Sequence, residues 1–156
     1  MLELLSVHVL RFTLEETRYA VAIDHIVEVV PRVLVTPLHG APAFVEGVFS
    51  FHRTACVAVS LRRRLGHASR APALDEHILV MRGRRRLLGL VVDRADGDEV
   101  IADQLIEPAH DGAGRRAAVS GIVALADGVL LIHDVDAMLT DDEERAVDAS
   151  LEGTSV

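Results

Sequence analysis

Tryptophan is absent from this 156-residue chain, which also contains only one tyrosine and four phenylalanines. Because proteins often bind single-stranded nucleic acids by stacking the bases on aromatic side chains, the composition argues against that function. A basic excess is missing too: the formal net charge is −8, whereas phosphate binding depends on arginine and lysine. The sequence therefore indicates no nucleic-acid partner.

Cysteine is almost absent as well. The single residue, Cys56, excludes an intrachain disulfide and a cysteine-rich zinc site. It lies in the apolar run 55–59, so we expect a buried side chain rather than a reactive thiol, which needs an electropositive setting. The eight histidines are scattered, and no two have the spacing of a metal-binding pair. We predict neither a metal nor a cofactor.

Long apolar segments are also missing. No run approaches the roughly 20 residues that a membrane-spanning helix needs. The N-terminal residues lack the cationic region that precedes the apolar core of a signal peptide. We therefore predict a cytoplasmic protein without direct membrane insertion.

Half of the residues are hydrophobic, and they occur in short strand-like runs between turns. The runs lie at 7–14, 19–23, 26–30, 47–51, 55–61, 78–81, 87–92, 121–125 and 129–132. From Asp134 the pattern becomes helical, which predicts a short C-terminal helix. The acidic residues after Thr140 predict a frayed tail.

The two halves of the chain repeat each other. Leu10 and Phe12 match Leu79 and Met81 at an offset of 69 residues, and the segment 19–24 then matches 88–93 at the same offset. The segment 47–51 matches 121–125 at an offset of 74. The change of offset falls in the middle loop of each half, where insertions are tolerated.

About five strands in roughly 65 residues predict a small closed barrel, because closure removes exposed edges. We therefore predict an all-β fold with two pseudo-symmetric five-stranded barrels. The subdomains would span about 7–66 and about 77–140, followed by an acidic tail at 141–156, with an exchange of strands between them left open. Barrels this small are marginal alone, so the two should pack firmly and fold as one unit.

Several short motifs follow one another in a fixed order. They are Phe12-x-Leu14, Arg18 to Ile23, Ile26 to Val30, Thr36-Pro37-Leu38, Ala41 to Val48, Leu61 to Gly66, Gly89 to Asp93, Ile106-Glu107-Pro108 and Gly121-Ile122. This ordered set, over residues 7 to 140, resembles the CheW family of bacterial chemotaxis coupling proteins.

The resemblance implies two SH3-like barrels and a non-catalytic adaptor that couples a chemosensory histidine kinase to chemoreceptors. Loops of the first barrel would contact the regulatory domain of a CheA-like kinase. The groove between the barrels would contact the cytoplasmic tip of methyl-accepting chemoreceptors, and the protein would be recruited to membrane receptor arrays. The implied partner-binding residues are Glu28, Pro42, Phe44, His52, Arg53, Arg62 and Val91.

One turn departs from the family pattern. The usual Asn-Leu-Arg-Gly sequence is Ser50-Phe51-His52-Arg53 here, so arginine becomes His52 and glycine becomes Arg53. A non-glycine residue is costlier at the positive φ expected there. The change leaves open a scaffold of a pilus or developmental chemosensory system that binds only one of the two partners.

Each candidate also has a simpler interpretation. Glu28 could be a solvent-facing strand charge, and His52 and Arg53 an ordinary polar loop. The basic runs 62–64 and 84–86 are either solvated faces or contacts for an acidic partner. Asp24 and Asp93 occupy equivalent places in the repeat, which explains them better than a catalytic pair. A small-molecule-binding barrel remains an alternative, although it would need convergent polar groups.

Overall fold

The computed structural model describes residues 5–68, 71–109 and 119–154, which are mostly β structure. The strands are β1 (Ser6–Leu14), β2 (Thr17–Ala22), β3 (Ile26–Pro31), β4 (Val45–Phe51), β5 (Thr54–Ser60), β6 (His77–Arg82), β7 (Leu87–Val92), β8 (Arg94–Ala102), β9 (Ile106–Pro108), β10 (Val119–Leu125) and β11 (Gly128–His133). The α-helices are α1 (Leu61–Arg64) and α2 (Asp141–Thr154), and short 3-10 turns lie at Ile23–His25, Asp103–Leu105 and Val135–Ala137. The predicted all-β class with a C-terminal helix is confirmed.

The strands form two sheets, and each sheet combines strands from both halves of the chain. The six-stranded sheet has the order β8-β1-β2-β11-β10-β9, and the five-stranded sheet has the order β3-β6-β7-β5-β4. The hairpin β1–β2 therefore lies between strands of the second half, while β6–β7 lies between strands of the first half.

Strand register confirms the repeat residue by residue. In the parallel pair of β2 and β11, Arg18 lies opposite Leu130, and in the parallel pair of β7 and β5, Leu87 lies opposite Cys56. The matching residues are 69 apart (18 and 87) and 74 apart (56 and 130), as the sequence predicts. The two sheets are therefore related by pseudo-symmetry.

Three apolar cores follow from the alternation of side chains along these strands. Within the five-stranded sheet, Cys56, Ile78, Val80 and Val91 face one cluster to which β3 and β4 also contribute, so this sheet curls around its own core. A second small core lies within the six-stranded sheet. The intervening residues of both sheets, such as Phe12 and Leu90, face a larger shared core between them.

Strand β8 was not among the predicted strands. Its outer residues are polar, so the chain lacks the apolar alternation that identifies a strand. In the structure these side chains pair across to β1: Asp98 lies 2.5 Å from His8, and Glu99 accepts from Arg11 at 3.0 Å. Cross-strand charge pairs rather than burial thus mark this strand.

The prediction of a frayed acidic tail is wrong over its described part, because residues Asp141–Thr154 form helix α2. A capping box begins this helix: the Glu143 amide donates to Thr140 Oγ1 at 3.1 Å, and the Thr140 amide donates to Glu143 Oε1 at 2.8 Å. Val147 anchors the helix in the shared core. The helix that the sequence placed at Asp134 is only the 3-10 turn Val135–Ala137.

Cys56 is fully buried in the core of the five-stranded barrel, as predicted. Burial raises the pKa of its thiol to about 12, so the reactive thiolate is scarce at neutral pH. We expect no reaction of the folded protein with a disulfide reagent such as DTNB, and complete reaction in denaturant. Rapid labelling of the folded chain would contradict this placement.

We call the barrel of the five-stranded sheet the first barrel and that of the six-stranded sheet the second barrel. Gly47, in β4, allows the preceding loop to close the first barrel. Thr36 and Val48 form a bridge in which each amide donates to the other's carbonyl, at 2.9 and 2.8 Å. A Cβ atom on Gly47 would lie 2.1 Å from the Thr36 carbonyl oxygen, a backbone atom that cannot move without breaking this bridge.

Replacing Gly47 with alanine should therefore lower the free energy of unfolding by about 2–4 kcal/mol. Gly153→Ala is the matched control, since a Cβ there meets no atom within 4 Å and alanine favours the helix. Denaturant unfolding of both variants measures the difference. Equal stabilities would show that the Thr36 bridge does not constrain the barrel.

Candidate partner-binding surface

Three of the seven predicted contact residues come together on the outer surface of the first barrel. Glu28 lies on β3, while His52 and Arg53 form the turn between β4 and β5. The His52 Nε2 and Glu28 Oε1 atoms are 4.0 Å apart, and their side chains are 77% and 51% exposed. The pairing of β3 with β6 shifts in register between Ile26 and Glu28. Such an irregularity changes the direction in which side chains point, here at the edge of the sheet.

The turn itself carries backbone strain. His52 has φ of 47° and Arg53 has φ of 69°, so both central residues are left-handed, as in a type I′ hairpin. The positive φ expected at Arg53 is confirmed. Glycine or asparagine would normally occupy such positions, and each larger side chain costs about 1 kcal/mol or more there. The turn thus exposes an imidazole and a guanidinium group at a cost in local stability.

Phe44 and Val91 are buried rather than on the surface that the sequence-based interpretation supposed. Val91 faces the core of the first barrel. Phe44 lies in the shared core, with the guanidinium of Arg64 4.5 Å from its ring centroid. Pro42 is half-buried, and its carbonyl accepts from the Val45 amide at 2.9 Å. Pro42 and Phe44 belong to the loop before β4, whereas Val91 lies on β7.

Arg62 is also internal, with only 8% of its side chain exposed. Its guanidinium donates to Glu15 in the β1–β2 turn and, at 2.6 Å, to Asp93 after β7. The Glu15 amide donates to the other oxygen of Asp93 at 2.8 Å. Arg62 therefore joins α1 to both exchanged hairpins, a structural role that the sequence did not indicate.

A second buried pair lies beside the first. Arg32 donates to both oxygens of Glu46, at 3.0 and 2.5 Å, and both side chains are largely buried. The pKa of Arg32 is raised, chiefly by its hydrogen bond to Glu46. The sequence analysis did not identify Arg32 or Glu46, because a single charged residue on each of two separate segments forms no recognisable sequence pattern. Together with Arg62 they line a small cleft, in which all three of these charges are paired.

The basic run 84–86 and Arg64 bind the acidic helix of the same chain. We call this set the arginine clasp: Arg64, Arg84, Arg85 and Arg86, which pair with Asp141, Glu143, Glu144 and Asp148 of α2. The pKa of Asp148 is lowered, first by its hydrogen bond from Arg86. These arginines therefore contact acidic residues of their own chain, and contact with an acidic partner stays a prediction.

Two further features bear on function. In the parts of the chain that the structure describes, no group of three or more histidine, cysteine, aspartate or glutamate residues is placed to hold a metal ion. No described helix has both the length and the apolar composition to cross a bilayer.

The two sheets, related by pseudo-symmetry, define the class of duplicated β-barrel proteins. A model of the CheW-like domain matches residues 8–143. The chain belongs to the CheW-like family of chemotaxis scaffolds.

Similar proteins cover most of the chain. The chemotaxis protein CheW of Rhizobium meliloti is 27% identical over 113 residues, which are 71% of this chain and 73% of the relative. That of Klebsiella aerogenes is 26% identical over 141 residues, 88% of this chain and 84% of the relative. The crystal structure of the scaffolding protein TtCheW from Thermoanaerobacter tengcongensis shares the fold: its TM-score is 0.78 at 24% identity, covering 89% of this chain and 96% of that one.

Replacing Arg62 with alanine should lower the free energy of unfolding by about 2–4 kcal/mol, because it leaves two neighbouring carboxylates without their shared cation. The adjacent Arg63 is exposed, so Arg63→Ala should change stability by no more than about 0.5 kcal/mol. Chemical denaturation of the pair tests this. Equal effects would mean that Arg62 does not tie the hairpins together.

Proposed function

We propose that this chain is a non-catalytic adaptor that couples a CheA-like histidine kinase to chemoreceptors. Family membership and the duplicated-barrel fold support the proposal at the level of the class. The single observation that carries the partner assignment is the exposed surface formed by Glu28, His52 and Arg53.

The chemistry of that surface suits a protein partner. Arg53 and His52 offer donors for carboxylates, and Glu28 offers an acceptor for a basic side chain, so a partner of mixed charge fits best. Val27, next to Glu28 on β3, is 38% exposed and adds apolar area. Arginine beside modest apolar area is typical of protein interfaces, where the charged rim sets specificity.

The kinase regulatory domain is the partner we assign to this surface, and the receptor tip is assigned to the groove between the barrels. The family resemblance supplies both assignments, and the exposed surface of Glu28, His52 and Arg53 is the structural observation that supports the first. An adaptor of this kind works in the cytoplasm and is recruited to receptor arrays at the membrane.

A second candidate is favoured by the altered turn. Because His52 and Arg53 replace the arginine and glycine usual in the family, the chain could serve a pilus or developmental chemosensory system and bind one partner only. Restoring the family residues with His52→Arg and Arg53→Gly distinguishes the two. Unchanged affinity for the kinase domain would show that the turn is not the determinant.

The direct experiment mixes the full chain with the regulatory domain of its cognate kinase and a signalling fragment of its cognate receptor. We expect a single complex of all three in size-exclusion chromatography with light scattering. Retention of one partner alone would support the single-partner scaffold. Retention of neither would refute the adaptor.

Arg53→Ala should weaken binding of the kinase regulatory domain by about tenfold, because exposed arginines are frequent contributors to interface affinity. Arg94→Ala is the control, since Arg94 is exposed on β8 and pairs with Asp96, away from the β4–β5 turn. Isothermal titration calorimetry measures both. A larger loss for Arg94→Ala would move the contact to the second barrel.

A further inference from the structure

Both ion pairs and apolar burial attach helix α2 to the barrels. All four arginines of the clasp reach carboxylates on this helix. Val147 is fully buried, while Leu151 is only half-buried. The two barrels, in contrast, are joined by a large apolar core. Helix α2 is therefore held by exposed ion pairs as well as by apolar burial, two forces of different physical origin.

Those forces respond differently to salt. Arg84 and Arg85 are about half exposed, at 52% and 47%, so their pairs with Asp141 and Asp148 are screened as ionic strength rises. Apolar burial is not weakened by salt in this way. Raising the ionic strength should therefore loosen α2 before it affects the barrels.

One donor of the arginine clasp is not satisfied when α2 is bound. Arg64 donates from Nη1 to Glu143 at 2.8 Å, but its buried Nε has no hydrogen-bond partner within the described part of the chain. A buried donor without a partner is costly, so another acceptor on a competing helix would be favoured there.

We propose that α2 is a detachable strap, and that the arginine clasp with the apolar surface beneath Val147 is a docking site for an acidic amphipathic helix of a partner protein. The sequence of α2 shows which helix fits. Carboxylates at positions 141, 144 and 148 meet the arginines, and apolar residues at 147 and 151 lie beside them. A partner helix with this pattern replaces each contact that α2 gives up.

Hydrogen exchange of the full chain tests the strap. Raising the salt from about 50 to about 500 mM should speed exchange of the α2 amides by about tenfold, while strands β5 to β7 stay unchanged. Exchange of α2 that always matches the rate of these strands would overturn the proposal.

Paired variants isolate the clasp. The double variant R85A/R86A should speed α2 exchange at low salt to the level that the native chain reaches at high salt. Arg145→Ala removes the same kind of charge, but Arg145 pairs with Asp142 within the helix, so its exchange should not change. Equal effects of the two would mean that the clasp does not hold the helix.

Docking is measured with a fluorescent peptide of residues 138–154 as the probe. Full-length Val147→Asp should bind the peptide because its own helix is released, and adding R85A/R86A should weaken this binding at least about tenfold. A scrambled peptide of the same composition is the control. Asp148→Arg, which repels the clasp without entering the core, replaces Val147→Asp if that variant does not fold. Absence of peptide binding to a chain whose α2 exchanges rapidly would refute the docking site.

Discussion

The central strands are apolar on both faces, and the rest of the structure depends on this constraint. On β6, Ile78 faces the core of the first barrel and the next residue, Leu79, faces the shared core. On β1, Val9 faces the core of the second barrel and Leu10 faces the shared core. A strand of this kind must be covered on two sides. The exchange of hairpins supplies the second cover, because each hairpin contributes one face to a barrel and the other to the common interior. Neither half buries its own hairpin, so the halves must fold together.

Buried arginines then specify how the segments meet. Arg62 in the first half binds Asp93 in the second, and Arg86 binds Glu144 in a pair with 12% and 6% of the side chains exposed. The gain in stability from such pairs is small, because desolvation offsets their attraction. Their geometric demand is large, since a planar guanidinium accepts few arrangements of carboxylates. All sixteen basic residues are arginine, which suits a fold that joins distant segments by ion pairs.

The repeat could be predicted from the sequence because it consists of short matching segments. The offsets of 69 and 74 residues between these segments recur in the strand register. The hairpin exchange could not, because a duplicated sequence pairs equally well within or between its halves. Strand β8 and the true position of the C-terminal helix were missed for a related reason. Their polar residues are satisfied by partners far along the chain, such as His8 for Asp98 and Arg86 for Asp148. The same limit explains why Arg62 was assigned to the surface: burial of a charge becomes predictable only when its partner is known.

The β4–β5 turn differs from these segments, whose charged residues pair with residues far along the chain. Glycine at positions 52 and 53 would relieve both left-handed conformations, yet the chain keeps two large side chains there, largely exposed, beside Glu28. The strands on either side pair in regular register as far as Phe51 and Thr54, and the His52 ring contacts that of Phe51 with centroids 4.4 Å apart. Backbone strain of this kind is often found where side chains act on something outside the molecule, which is the role proposed for this turn. Two of the interior cores offset this strain, because residues of β4 and β5 are buried in both the first-barrel core and the shared core.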